Sequence, residues 1–289
     1  MELLRALGVL AEPPSVEHRR IARVLELPGT PEPSDYSNIF DLELRPYASI
    51  YLCPDGLIGG EASDRIAGFW RALKWDPPSD PDHLGSLLGL YTVLTEAEMR
   101  ESDGARTVLF RHSRSVLLWE HLLPWIFPYL QRVAEVSDGV YRAWACLLDD
   151  ALRAELDELG DFDTMPPHLA LAPKLPDPRT EGADAFIIGL LAPVRSGMIL
   201  LPRDLARAAE HAGVGVRVGR RRGTLRGLLS EAPKATLEWL AQESQSRVPL
   251  YEKWLSGCGP IQAFWIDRAN TATDLLNALA SEFGSEILA

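Results

Sequence analysis

A chain of 289 residues can bury a sizeable core in one or two domains, and its composition, 46% apolar and 24% charged, is ordinary for a globular protein. No segment reaches the roughly 18 consecutive apolar residues of a membrane helix; the greasy stretch from Ser115 to Leu130 is broken by Glu120, His121, Pro124 and Pro128. The formal net charge of −12 speaks against nucleic acid as the main partner, since phosphate binding needs clustered Lys and Arg, and is compatible with a cationic peptide.

In chain order, Leu3–Leu10 is predicted as a short helix that stops before Pro13-Pro14. Ser15 is the expected N-cap of a helix over Val16–Leu27, ended by Pro28-Gly29. Ala62, Ile66, Phe69 and Trp70 fall near helical spacing and predict a helix over Glu61–Lys74 with one apolar face. The punctuated loop Asp76–Pro81 leads to Asp82, the expected cap of a helix over His83–Glu98. Arg106–Val133 is a long helical region in which Pro124 and Pro128 predict a kink or break, because each removes a backbone donor and clashes with the preceding turn. Val140–Leu159 is amphipathic, with Trp144, Leu147, Leu148, Ala151 and Leu156 on one face and an acidic tail from Asp149 to Asp163.

Past a proline-rich loop over Met165–Thr180, a helix over Asp204–Ala212 stops at Gly213. The alternation Val214, Val216, Val218 predicts a short strand, with Met198–Leu201 as its candidate partner. Thr224–Leu229, Ala235–Gln245 and Gln262–Phe283 complete the helices. From Arg203 to Arg226 there are seven arginines and two acids, a local +5 that leaves −17 for the rest of the chain.

The N-terminus, Met1-Glu2-Leu3-Leu4-Arg5, reads as mature cytoplasmic sequence rather than a signal peptide. Three scattered cysteines, Cys53, Cys146 and Cys258, without a Cys-x-x-Cys pair, argue for a reducing compartment and against thiolate zinc. The six histidines show no i, i+4 pair and no His-Glu-x-x-His, so no metal is expected. Gly56–Gly60 lacks the Lys-Ser/Thr of a phosphate loop, and no Gly-x-Ser-x-Gly is present. Asp82 and His83 are adjacent and would point about 100° apart on a helix, a poor geometry for an acid–base pair. Spacing alone reads this turn as a well-capped helix with a half-exposed histidine, and reads Trp70, Trp119 and Trp125 as core.

Two short segments change that balance when taken with a third. Asp80-Pro81-Asp82-His83 opens a helix, and His121-Leu122-Leu123-Pro124-Trp125 follows with its histidine 38 residues after His83. Upstream stands Leu44-Arg45-Pro46-Tyr47-Ala48-Ser49-Ile50-Tyr51-Leu52. In this order the three segments resemble the TorD/DmsD/NarJ family of redox-enzyme maturation chaperones, over about Phe40 to Leu148. The family's loop is Glu-Pro-Asp-His, so the first acid is shortened here to Asp80. The chain exceeds the family's usual size, and the arginine-rich 203–226 segment has no counterpart in it.

The resemblance implies an all-α, non-catalytic cytoplasmic chaperone without cofactor. Its partner is the twin-arginine signal peptide or apoprotein of a molybdenum-cofactor oxidoreductase subunit, held back from export until the cofactor is inserted. Domain-swapped dimers occur in the family, which admits a homodimer here. The expected fold is a helical bundle of about ten helices: core 1–164, loop 165–182, and a smaller C-terminal lobe 183–289 with room for two short strands. An amphipathic groove would take Tyr47, Tyr51, Trp70 and Trp125 as floor, with Asp82, His83 and His121 on its rim after Pro81. Two alternatives are a nucleic-acid-binding regulator using the 203–226 segment and a metal-dependent hydrolase using His83 and His121. For the arginines themselves, ion pairing with the acidic helix Asp149–Asp163 is the favoured reading.

Overall fold

A computed structural model describes residues 2–160, 162–215 and 219–285. Among these residues twelve helices have eight residues or more, and no strand forms; the fold is all-α. The chain divides into two compact units, one of residues 1–49 with 58–166, the other of residues 50–57 with 167–289.

In the first unit, α1 (Glu2–Val9) and α2 (Val16–Val24) come first. Ser15 caps α2 as expected, accepting from Glu17 N–H at 3.2 Å, while His18 Nδ1 accepts from Ser15 N–H at 3.1 Å. The helices α3 (Gly60–Ala72), α4 (Leu84–Arg100) and α5 (Gly104–Val116) follow. Glycines let α1 and α4 approach closely: a Cβ on Gly8 would stand 3.1 Å from Leu88 Cβ, and one on Gly85 3.2 Å from Gly8 O.

The predicted break before Pro124 takes a specific form. A π-helical segment, Leu117–Leu122, joins α5 to α6 (Leu123–Val136) and places Pro124 immediately after the widened turn, in the first turn of α6. Pro128 is accommodated inside α6. α7 (Gly139–Leu159) is anchored by Trp144, whose indole N–H donates to Leu7 O at 2.9 Å. Phe40 sits edge-on to Tyr141 and Trp144, at centroid distances of 5.1 and 5.6 Å. Such pairs add about 0.5–1.5 kcal/mol each beyond area burial. Buried Arg114 joins the far ends of three helices, pairing with Glu98 at 3.1 Å and with Glu158. Tyr91 O–H donates to Glu155 at 2.6 Å beside them.

The second unit holds α8 (Ala183–Leu191), α9 (Pro202–Ala212), α10 (Arg221–Glu231), α11 (Pro233–Trp254) and α12 (Gly259–Ser285). α11 and α12 form a long helical hairpin around a core that includes Leu205, Leu225, Leu240 and Leu276. Gly197, left-handed at φ +68°, lies directly on α12: a Cβ there would stand 2.5 Å from Ala269 N. Tyr251 O–H fixes the same turn through Gly197 O at 2.6 Å. Gly56, at φ +65°, lets residues 50–57 pack on the end of α8, where a Cβ would meet Leu191 O at 2.9 Å.

Two sequence expectations are corrected. The N-cap of α4 is His83, not Asp82: His83 Nδ1 accepts from Gly85 N–H at 3.1 Å, because the carboxylate of Asp82 is turned inward. Met198–Leu201 forms no strand, and Val214 is irregular; Val216 and Val218 lie outside the described residues. The loop over Met165–Thr180 contains the short helical turn Pro167–Ala170 and the start of another, Pro178–Glu181.

Candidate functional site

The first candidate cluster forms where two irregular stretches of the N-terminal unit cross. Tyr47 and His83 make an isolated antiparallel bridge. Ala48 N–H donates to Asp82 O at 3.0 Å, and Leu84 N–H donates to Pro46 O at 2.8 Å. Pro46 and Pro81 suit these places because each fixes its φ without needing a donor at its own nitrogen. The Asp82 side chain is buried, 2% exposed, and works as an internal cross-link. Its Oδ2 accepts from Ser49 N–H at 3.0 Å and its Oδ1 from Ser63 Oγ–H at 2.9 Å.

On this base stand two half-buried rings. Tyr47 and His83 meet edge to face with centroids 4.9 Å apart. Because Nδ1 of His83 is an acceptor, the neutral ring carries its proton on Nε2. The surroundings are acidic. Glu12, Asp80 and Asp82 act on His83, and Asp80, Asp82 and Asp41 act on Tyr47, with Arg45 the opposing cation. Burial nevertheless dominates at His83 and lowers its pKa, the three carboxylates pulling the other way. Burial and then the carboxylates raise that of Tyr47. Glu12, Asp41 and Asp80 are exposed.

The second cluster is separate. His121 lies in the π-helical segment, 3% exposed, with its ring 5.1 Å from that of Phe69. Burial, with the charge of Arg65 adding to it, lowers its pKa to about 4, so the imidazole is neutral near pH 7. Trp125 is fully buried and donates its indole N–H to His121 O at 2.9 Å. Helix α3 touches both clusters from different sides. Ser63 reaches Asp82, whereas Arg65 and Phe69 face His121, and positions 63 and 65 are about 200° apart around a helix.

The structure thus brings Tyr47, Pro81, Asp82 and His83 together and, apart from them, His121 with Trp125. Trp70 is half-buried on α3 with Trp75 at 6.5 Å. Tyr51 is 1% exposed and belongs to the C-terminal unit, where burial raises the pKa of its hydroxyl. Ser63, Glu12 and Asp41 lie outside the three motif segments, in separate stretches of sequence that only the fold brings to Tyr47, Asp82 and His83.

The C-terminal unit carries an apolar groove of about 460 Å3, with Phe186, Ile187, Leu229, Leu237 and Leu279 among its walls. Its rim charges are already paired, Arg179 with Glu282 at 2.6 Å and Arg226 with Asp184. The expected pairing of the arginine-rich segment with the acidic helix is not what Arg207, Arg222 and Arg226 do. Arg207 lies 3.5 Å from Asp204 and 3.9 Å from Glu243, and Arg222 lies 3.7 Å from Asp184, acids nearer in the fold. Asp149 is instead held by Arg153 at 2.9 Å, and Glu158 by Arg114. Among the described residues no group of three or more His, Cys, Asp or Glu converges as a metal site, and no helix is long and apolar enough to cross a membrane.

These features define a class: an all-helical protein whose candidate site presents rings and carboxylates on a buried scaffold. Residues 24–130 match the family model described as nitrate reductase delta subunit, and over that segment the resemblance to the TorD/DmsD/NarJ family is borne out. This is a family of redox-enzyme maturation chaperones, not of catalysts. No curated protein and no solved structure matches the chain.

Proposed function

We propose that the protein is a cytoplasmic chaperone for the catalytic subunit of a molybdenum-cofactor oxidoreductase. It binds the subunit's twin-arginine leader, or the apoprotein beside it, and delays export until the cofactor is in place. The observation that carries this reading is the acid-ringed Tyr47–His83 pair inside the matched segment. An arginine presents a flat cation that stacks on an aromatic face and pairs with carboxylates. Tyr47 offers the face, and exposed Glu12, Asp41 and Asp80 offer the charge. Asp82 holds the two stretches in register beneath them.

Calorimetry with a synthetic twin-arginine leader tests the reading. Tyr47→Ala with Asp80→Asn is expected to weaken binding about tenfold or more, in line with a cation–π contact of about 0.5–2 kcal/mol plus a screened charge pair. A lysine-for-arginine leader should bind more weakly to the wild type. Leader affinity unchanged in the double variant excludes this surface as the receptor.

A further inference from the structure

Two arginines of the C-terminal unit, Arg195 and Arg268, lie within electrostatic range of each other with little to balance them. Arg268 on α12 is 5% exposed. Its Nη2 donates to Ala172 O at 2.6 Å, and its guanidinium carbon lies 4.8 Å from the Phe264 ring centroid. Its Nε and Nη1 are buried without a hydrogen-bond partner. Arg195, half-buried in the turn Pro193–Ser196, donates from Nε to Lys174 O at 3.1 Å. The turn and the helix are in direct contact, since the Cβ that Gly197 lacks would stand 2.9 Å from Arg268 Cβ. The acids within electrostatic range are Asp267 for Arg268 and Glu181 for Arg195. Both are exposed, and neither forms an ion pair with these arginines. Burial lowers the pKa of both guanidinium groups, and Arg195 lowers that of Arg268 further.

A guanidinium has five N–H donors arranged to meet two oxygens of one anion at once. The carbonyls of Ala172 and Lys174 engage a single nitrogen on each side chain. A buried cation in this condition is costly unless a counter-charge and further acceptors complete its shell.

We propose that Arg195 and Arg268 form a binding site for a small oxyanion, a carboxylate or phosphate group, with Arg268 as the floor and Arg195 as the mouth. The half-buried Arg195 side chain gives the anion its way in, and the second guanidinium makes the site bidentate across two elements. The inference is independent of the chaperone reading and involves a different unit of the chain.

The test uses the full chain with inorganic phosphate and acetate as probes, against chloride at equal ionic strength. Calorimetry and the thermal midpoint are the readouts. A response to phosphate alone assigns a phosphorylated ligand; a response to acetate assigns a carboxylate. Arg195→Gln, at a half-exposed position, is expected to weaken binding about tenfold or more while leaving the circular dichroism spectrum unchanged. Arg268→Met is expected to abolish binding; should it fail to fold, the Arg195 variant decides the matter. Binding that survives Arg195→Gln undiminished overturns the site, as does a wild-type chain that responds to neither probe.

Discussion

Replacing Asp82 by alanine removes the acceptor that ties residue 49 and helix α3 to the start of α4. Two donors lose their partner, Ser49 N–H at 3.0 Å and Ser63 Oγ–H at 2.9 Å. Hydrogen bonds to charged groups contribute about 1.5–3 kcal/mol each, and a buried donor left unpaired costs about 1–3 kcal/mol. Ser49 is fully buried and cannot turn to water, whereas Ser63 is half-buried and can rehydrate. The loss is therefore expected at about 3 kcal/mol, most of it from Ser49. Ser63→Ala alone should cost only ~1 kcal/mol, and adding it to Asp82→Ala should cost almost nothing more, because the shared bond is already gone. Hydrogen exchange gives a local assay: at about 1.4 kcal/mol per factor of ten, protection of the Ser49 amide should fall about a hundredfold in Asp82→Ala. Asp82→Asn should recover much of it, since the amide oxygen still accepts from Ser49. A Ser49 amide equally protected in wild type and Asp82→Ala, or fully additive costs at positions 63 and 82, would refute the cross-link.

His121 supplies a pH dependence. Its folded pKa is lowered from 6.5 to about 4, so the unfolded chain binds the proton more tightly. The stability it contributes is complete above pH ~6.5 and is lost as pH falls toward about 4, up to about 3 kcal/mol at roughly 1.4 kcal/mol per tenfold. Urea unfolding at pH 7 and pH 4.5 should show this drop, and His121→Phe should flatten it. Gly197→Ala should destabilise the C-terminal unit by about 2–4 kcal/mol, from a strained φ of +68° and a Cβ 2.5 Å from Ala269 N. Loss of less than about 1 kcal/mol on urea unfolding would mean the turn slides off α12 at little cost.

The helices were legible because their signals are local. The apolar stripe of Gly139–Leu159, the Ser15 cap and the Gly213 stop each sit within a few residues of what they control. The break at Pro124 was legible in kind, but not as a π-helical segment, because a widened turn leaves no mark in the spacing of residue types. The Asp82 cap was misread for a physical reason. An aspartate before a helix is a good cap when its carboxylate has no better offer, and here Ser49 and Ser63 supply two donors from distant sequence. His83 then took the capping place, which no propensity favours. Similarly, an arginine-rich segment and an acidic helix of one chain look like partners on charge alone, whereas Arg222 and Arg226 reach Asp184 at the start of α8. Tyr51 stands four residues from Tyr47 yet belongs to the other unit, a division that periodicity does not carry.

The inward turn of Asp82 also decides which acid can meet a ligand. Its two oxygens accept from Ser49 and Ser63, and the residue is 2% exposed. A ligand arginine would have to displace those donors and desolvate the carboxylate to reach it, which costs more than a surface pair returns. Asp80, two residues earlier, is exposed and acts on both Tyr47 and His83. The two aspartates of Asp80-Pro81-Asp82-His83 therefore have opposite expected profiles. Asp80→Asn should leave unfolding unchanged within about 0.5 kcal/mol and weaken leader binding with a reduced salt dependence. Asp82→Asn should lower stability while leaving the salt dependence of binding intact. Equal effects of the two substitutions on the salt dependence would show that both carboxylates face the ligand, and that the Ser49–Asp82–Ser63 cross-link opens when the leader binds.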